Sequence, residues 1–296
     1  MRIIRHPKKK SLKGSVVALG TFDGVHRGHQ VILQQAVKQA KKDKTASIAI
    51  TFDPHPQLLI SPERGLKLLT TLTEREKLFC RYGIDGVVVI RFNKRLQALA
   101  KEDFVKKYLV EKIGASHVFV GFDYAFGKSR AGDVSQLKKL GKKHGFAVTV
   151  VRAVSADKHV IKSKVIRELL SQGKFNQAVQ LLGHAYQIEG VVVRGSGRGK
   201  PLGFPTANLR VANNKLIPAH GVYAGLWGEK KCAVNIGARP TFGAGETAIE
   251  VHIPRHKKNL RGQRLNLILT RRLREERQFS DVEKLKRQIA KDIRRL

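Results

Sequence analysis

The sequence predicts an α/β half followed by a β half: a parallel sheet covered by helices, then a small antiparallel β-barrel with a terminal helix. Three observations predict it. The first half alternates near-continuous apolar runs with amphipathic stretches, the pattern of buried parallel strands flanked by helices. Beyond about residue 184, short strand-like runs follow one another, separated by Gly- and Pro-containing turns. The 296 residues also exceed the usual size of one domain, so each half can hold its own core. Domains are therefore expected at 1–183 and 184–296.

In order, Ser15–Phe22 reads as a buried strand, Gly28–Lys42 as an amphipathic helix and Ala46–Phe52 as the next strand. Thr73 with Glu76 has the spacing of a capping box and opens a helix that ends near Gly83. Gly86–Phe92 reads as strand, Glu102–Ile113 as helix, His117–Phe122 as strand, Val134–His144 as helix and Phe146–Val154 as strand. Two short helices, Val165–Ser171 and Asn176–Leu182, lead to Gly183. Strands are then expected at Gln187–Val193, Gly221–Trp227, Cys232–Ile236, Ala248–Ile253 and Arg264–Thr270. The tail reads as a helix capped by Ser280 with Glu283 and running nearly to Leu296.

Composition narrows the functional classes. No run approaches the roughly 20 apolar residues of a membrane span, and no apolar segment behind Met1–Lys10 resembles a secretory signal. Cys80 and Cys232 lie far apart and neither belongs to a CxxC pair, which argues against a disulfide scaffold or a thiolate zinc site. A reducing, cytoplasmic setting is expected. With 58 Lys and Arg against 23 Asp and Glu, the net charge of +35 attracts nucleotides, RNA and acidic membranes alike. The basic residues are spread along the whole chain, with short clusters such as Lys8-Lys9-Lys10 and Arg271-Arg272, as on a solvated surface. Only 6% of residues are aromatic, so the second half lacks the aromatic and basic platform of single-strand binders. Nucleic-acid binding is thus a secondary expectation, and nothing specifies an oligomeric state.

The segment Gly20-Thr-Phe-Asp-Gly-Val-His-Arg-Gly-His29 joins the first strand to the first helix, at the carboxyl end where ligands of open α/β sheets bind. Gly20 and Gly24 permit close backbone approach, and the helix N-terminus offers free N–H groups to a phosphate. His26 and His29, three apart, can face one spot and stabilise charge on a phosphate in transit. Two other readings of the pair stand beside this one: a metal site completed by His55, or an exposed turn.

In the second half, the glycine-rich, basic loop from Gly195 to Pro205 fits neither a Walker A loop nor GxGxxG. Its backbone N–H groups can still hold a phosphate. Thr206 and Asn208 are neutral oxygen donors two apart, so on an extended segment they point the same way and suit a hydrated Mg²⁺. Alternation in Ile249–Ile253 puts Glu250 and His252 on one face, which alone means only a half-exposed strand.

Together these segments resemble the bacterial bifunctional riboflavin kinase/FAD synthetase family. GTFDGVHRGH (20–29), TFDPHP (51–56), VGFDYAFGKSRAG (120–132) and IKSKVIRELL (161–170) resemble its FMN adenylyltransferase module, a Rossmann-like nucleotidyltransferase. GRGKPLGFPTANL (197–209), GVYAG (221–225), NIGARPTF (235–242), IEVHI (249–253) and LREERQF (273–279) resemble its riboflavin kinase module. The resemblance implies phosphorylation of riboflavin to FMN and adenylylation of FMN to FAD, with ATP and Mg²⁺. It implies that His26 and His29 stabilise charge on the ATP phosphates, and that Gly20, Phe22, Asp23, Ser163 and Arg167 contact ATP or phosphate. His55 and Asp123 would line the flavin and nucleotide pockets. In the second module Gly197, Gly199, Lys200, Thr206 and Asn208 would bind ATP, Thr206 and Asn208 would hold Mg²⁺, Glu250 would be the general base, and Arg274 would lie near the flavin.

Two departures stand out. Lys162-Ser163-Lys164 replaces the family's Ser-Ser-Thr, turning a phosphate-binding hydroxyl at 164 into an ammonium. Asn259-Leu-Arg-Gly262 replaces its Leu-Tyr-Gly. The first departure motivates a runner-up, a riboflavin kinase with impaired adenylylation; the net charge motivates another, an RNA-binding protein on this scaffold.

Overall fold

The computed structural model describes residues 1–5, 7, 12–156, 159–195, 197, 199, 201–238, 247–256 and 258–296, with only the backbone at 159. The chain forms two compact units, Met1–Ser163 and Lys164–Leu296.

The first unit is built on six strands: β1 (Arg2–Ile4), β2 (Val16–Leu19), β3 (Ser47–Asp53), β4 (Gly86–Arg91), β5 (His117–Gly121) and β6 (Ala147–Val151). Its helices are α1 (Arg27–Lys42), α2 (Pro56–Ile60), α3 (Leu72–Arg81), α4 (Lys94–Gln97), α5 (Lys101–Phe104) and α6 (Val134–His144). α5 continues in π-helical turns over Val105–Ile113 to a left-handed Gly114. A hairpin of β7 (Ser155–Ala156) and β8 (His159–Val160) follows. The sheet order is β1-β4-β3-β2-β5-β6, and every pairing is parallel.

Alternate residues of each strand feed two cores. Val17 and Leu19 of β2 join Ile48, Ile50, Val118 and Val120 under Phe104, Leu109 and Leu137. Val16 and Ala18 join Ala49, Val87 and Phe119 under Leu33, Ala36 and Phe79. A sheet buried on both faces has no polar face, hence the continuous apolar runs. The strand order reverses at β2: β3 and β4 step away on one side, β5 and β6 on the other. The carboxyl ends of β2 and β5 therefore flank the topological switch point.

The second unit carries α7 (Ser163–Ser171) and α8 (Phe175–Leu182). Then come β9 (Tyr186–Val193), β10 (Ala207–Val211), β11 (Gly221–Trp227), β12 (Lys230–Ala238), β13 (Thr247–His252) and β14 (Arg264–Arg274), ending with α9 (Val282–Arg294). The six strands close an antiparallel barrel in the order β10-β13-β12-β11-β14-β9. Ile188, Val234, Ile236, Ile249, Val251, Leu265, Leu267 and Leu269 alternate along their strands and are buried. The expected α/β plus β architecture with a terminal helix is thus present. By contacts, α7 and α8 group with the barrel: Ala219 N donates to Leu170 O at 3.0 Å, and Arg272 Nη1 reaches Gly173 O at 3.5 Å.

Two caps and several elements differ from the sequence reading. The α3 capping box is Thr71 with Glu74, not Thr73 with Glu76. Both pairs have the right spacing, but Asp23 fixes Thr70 through its amide and hydroxyl, so the helix starts directly after it. The α9 cap is Asp281, not Ser280: its carboxylate accepts from Lys284 N at 2.7 Å, a charge-assisted bond a hydroxyl cannot match. β1, β10, the β7–β8 hairpin and short α2 and α4 are additional.

Candidate active sites

The first site lies at the switch point. The turn from Gly20 to His26 makes three demands on the backbone: Phe22, Gly24 and Val25 all have positive φ. What stabilises so strained a turn lies outside it. Asp23, 1% exposed, turns inward and accepts hydrogen bonds from Leu69 N (3.1 Å), Thr70 N (2.9 Å) and the Thr70 hydroxyl (3.1 Å). Gly24 N donates to the same hydroxyl at 2.9 Å. The Phe22 ring is buried, folds back to 3.2 Å from where a Cβ on Gly20 would stand, and meets His29 edge-on at 5.2 Å.

His26 is the N-cap of α1. Its Nδ1 accepts from His29 N at 3.3 Å, so in the neutral ring the proton sits on Nε2. The His26 and His29 rings stack with centroids 3.6 Å apart. Burial, then His26, then Arg75 hold the His29 imidazole well below its usual 6.5, so it is neutral at pH 7. Its Nδ1 is buried with no hydrogen-bond partner among the described residues.

Arg75 is a residue the sequence reading missed. It is 1% exposed, and its Nη1 donates to Thr21 O at 2.5 Å and to the Thr51 hydroxyl at 2.8 Å. It therefore ties the turn after β2 to β3 from below. Burial lowers its pKa, opposed by Asp23, Asp53, Glu76 and Glu74. In an amphipathic helix, Thr-Glu-Arg-Glu-Lys reads as solvated charge, and nothing local marks Arg75 as buried.

The remaining expected residues of this half divide. His55 stands at the carboxyl end of β3, buried, capping α2 by accepting from Gln57 N at 3.2 Å. Asp123 follows β5 and is exposed, with Lys162 Nζ 3.5 Å away. The Ser163 hydroxyl donates to Asp23 O at 2.9 Å, which pins the segment 161–163 against the turn. Arg167 lies on α7, in the second unit. Among the described residues, no group of three or more His, Cys, Asp and Glu could hold a metal ion.

The second site lies on the barrel's outer face. In the strand register Asn208 pairs with Glu250 and Glu250 pairs with Asn235, so three polar side chains stand in one row across β10, β13 and β12. Asn208 is 6% exposed, whereas Glu250 and Asn235 are half-buried. No hydrogen bond or ion pair occupies the Glu250 carboxylate among the described residues. The loop before β10 folds over this row. Gly195 packs on the Asn208 carboxamide so closely that a Cβ there would overlap it. Gly199 faces Phe204 O with the same lack of room, and its Cβ position is 3.4 Å from the Thr206 hydroxyl. His252 holds the loop from beneath, its Nδ1 2.9 Å from Pro205 O and its ring edge-on to Phe204 at 5.7 Å. Gly197 is left-handed with φ +75° and open surroundings. Lys200 lies outside the described residues.

The neutral oxygens of Thr206 and Asn208, with glycine on either side and a carboxylate in the same row, fit a hard cation that keeps several waters. Arg274 is committed elsewhere. Its Nε and Nη2 bond Asp292 Oδ2 of α9 at 2.9 and 2.8 Å. It also lines a cleft of about 350 Å³ with Lys174, Asn176, Arg272 and Glu275.

Comparison with known proteins fits both sites. The family model described as FAD synthetase matches residues 8–165, and that described as riboflavin kinase matches residues 182–296. A bifunctional riboflavin kinase/FMN adenylyltransferase of Escherichia coli K12 is 34% identical, covering 99% of this chain and 95% of its own. One from Listeria monocytogenes is 37% identical, covering 94% and 90%. Among solved structures, a Streptococcus pneumoniae protein described as a macrolide-efflux protein has a TM-score of 0.88 at 28% identity, covering 99% and 98%. Here, among the described residues, no helix is long and apolar enough to cross a membrane.

Proposed function

The chain belongs to the bifunctional riboflavin kinase/FMN adenylyltransferase family, and from that premise we propose which residues carry each step. It phosphorylates riboflavin to FMN and adenylylates FMN to FAD, taking ATP for both. The assignment rests on one observation: motif residues far apart in sequence meet, Asp23 with Ser163 at the switch point and Asn208 with Glu250 in the polar row of the barrel.

Adenylylation is assigned to residues 1–183. An FMN phosphate oxygen attacks the α-phosphorus of ATP, and the bond to the leaving pyrophosphate breaks in line. There is little proton chemistry to perform, so positioning and charge stabilisation dominate. His26 and the neutral His29 supply N–H donors at the N-terminus of α1, and Gly20 and Phe22 shape the approach. Asp23 and Ser163 act by holding the turn's backbone, a role supported by their inward bonds. His55 and Asp123 line the flavin and nucleotide side, and Arg167 adds a phosphate contact.

Phosphorylation is assigned to residues 184–296. Glu250 accepts the proton of the riboflavin 5′-hydroxyl as that oxygen takes the γ-phosphoryl group. Gly197, Gly199 and Lys200 cradle the ATP phosphates through the loop. Thr206 and Asn208 would hold Mg²⁺, which would supply positive charge against the phosphates. Arg274, fixed by Asp292, presents a rigid cationic edge to the cleft in which the flavin ring is proposed to lie. Free Cys80 and Cys232 suit a cytoplasmic setting.

Chromatography of products tests the reading, with riboflavin, ATP and Mg²⁺ in one mixture and FMN, ATP and Mg²⁺ in another. FAD from both supports it. FMN from the first mixture with FAD from neither would leave a kinase alone, the lysines at 162 and 164 being the suspects. Omitting Mg²⁺ should abolish both products.

A further inference from the structure

Two lysines stand where the family carries hydroxyls, and they have different surroundings. The Lys164 side chain is 84% exposed and pairs along its own helix with Glu168 at 4.0 Å. Lys162 is held against the first site. On one side of it, buried Ile161 donates to Val154 O at 2.9 Å, and its carbonyl lies 4.0 Å from the Cβ position of Gly28. On the other, the Ser163 hydroxyl donates to Asp23 O. From this fixed backbone the ammonium reaches Asp123 at 3.5 Å and sits 5.5 Å from the Phe122 ring centroid. Asp123 Oδ1 is 3.6 Å from the Cβ position of Gly121, and that position is 3.5 Å from Ile32 of α1. The ammonium thus meets the turn after β5, while its neighbours Ile161 and Ser163 fix its backbone beside the turn after β2.

We propose that Lys162 is a phosphate-binding residue of the adenylylation site, taking a phosphate group of FMN or ATP in exchange for Asp123. The proposal rests on the reading of the first unit given above. Three groups beside the turn do not supply this charge. His29 is neutral at pH 7, and Arg75 is sealed beneath the turn. The one proton of the Ser163 hydroxyl is already given to Asp23 O. Lys162 supplies what these lack: a full charge and three donors on a flexible stem. Its present partner is easily displaced. The Lys162–Asp123 pair is about half exposed on both sides, its separation exceeds that of a charge-assisted hydrogen bond, and such surface pairs are weak. A phosphate carries more charge and more acceptor oxygens than the carboxylate it would replace.

The test is steady-state FAD formation from FMN and ATP by the full chain, each substrate varied in turn, at low and high salt. For K162S, which restores the family's residue, the KM of one substrate should rise about fivefold. The salt dependence of that KM should weaken, while kcat and FMN formation from riboflavin hold. K162R should keep a near-wild-type KM. The substrate whose KM moves identifies the source of the phosphate. If K162S leaves both KM values and their salt dependence unchanged, Lys162 is an ordinary surface side chain and the proposal is wrong. It is equally wrong if K162R is as impaired as K162S, because shape rather than charge would then matter. Wild-type protein that makes FMN but no FAD would overturn the underlying reading, and this inference with it.

Discussion

His29 is stacked on His26, edge-on to Phe22 and near enough to Arg75 for a second positive charge to be unwelcome. Its folded pKa therefore lies below the unfolded value of about 6.5. The unfolded chain binds a proton that the folded chain refuses, so stability is fully present above about 6.5 and is lost as pH falls below it. Thermal melts at about pH 7.5 and about pH 5.5 should show a smaller drop for H29Q than for the wild type; equal drops would mean the imidazole is already solvated. Arg75 behaves differently, because its guanidinium is a strut. R75M leaves Thr21 O and the Thr51 hydroxyl without their donor. It should destabilise the first unit by about 2–4 kcal/mol and depress FAD formation, with FMN formation from riboflavin spared. Arg75 was illegible in the sequence for a plain reason: burial of an arginine is decided by what closes over it, and Asp23, Asp53 and Thr51 are distant along the chain.

At the scale of elements, long buried strands and strongly amphipathic helices were legible because their periodicity reflects burial directly. α6 and β11 have the expected limits. β10 was not recognised, since only five residues form it and two of them, Asn208 and Arg210, are polar. The caps of α3 and α9 slipped by one or two residues where two patterns competed and tertiary bonds or charge decided. The site motifs were legible as sequence, but not their partners: His252 anchoring Pro205, or Asn235 opposite Glu250. α9 illustrates what a motif cannot reveal. Its one buried side chain is Asp292, which bonds Arg274 and accepts from Gln288 at 2.8 Å. D292A strands the largely buried Arg274 charge and should cost about 3 kcal/mol. Hydrogen exchange should then quicken across α9 before the barrel strands; unchanged protection would mean apolar contacts alone hold the helix.

For the whole molecule, the polar row and the histidine pair each come from one unit. The polar row of Glu250 belongs to the barrel and the histidine pair to the sheet. The two steps should then be separable by substitution. E250Q should lower FMN formation from riboflavin by at least about a hundredfold while FAD still forms from supplied FMN. H29N should do the reverse, stopping a riboflavin mixture at FMN. Combining the two variants asks what becomes of the intermediate. The only product the H29N chain can pass on is FMN, and the only substrate the E250Q chain can complete is FMN. If FMN leaves one protein and enters another, the mixture makes FAD from riboflavin and ATP although neither variant does so alone. The rate should rise with the concentration of the E250Q chain, as expected for capture from solution. No FAD from the mixture, with each remaining activity intact, would mean FMN is not exchanged between chains, and the two units could not be treated as independent catalysts.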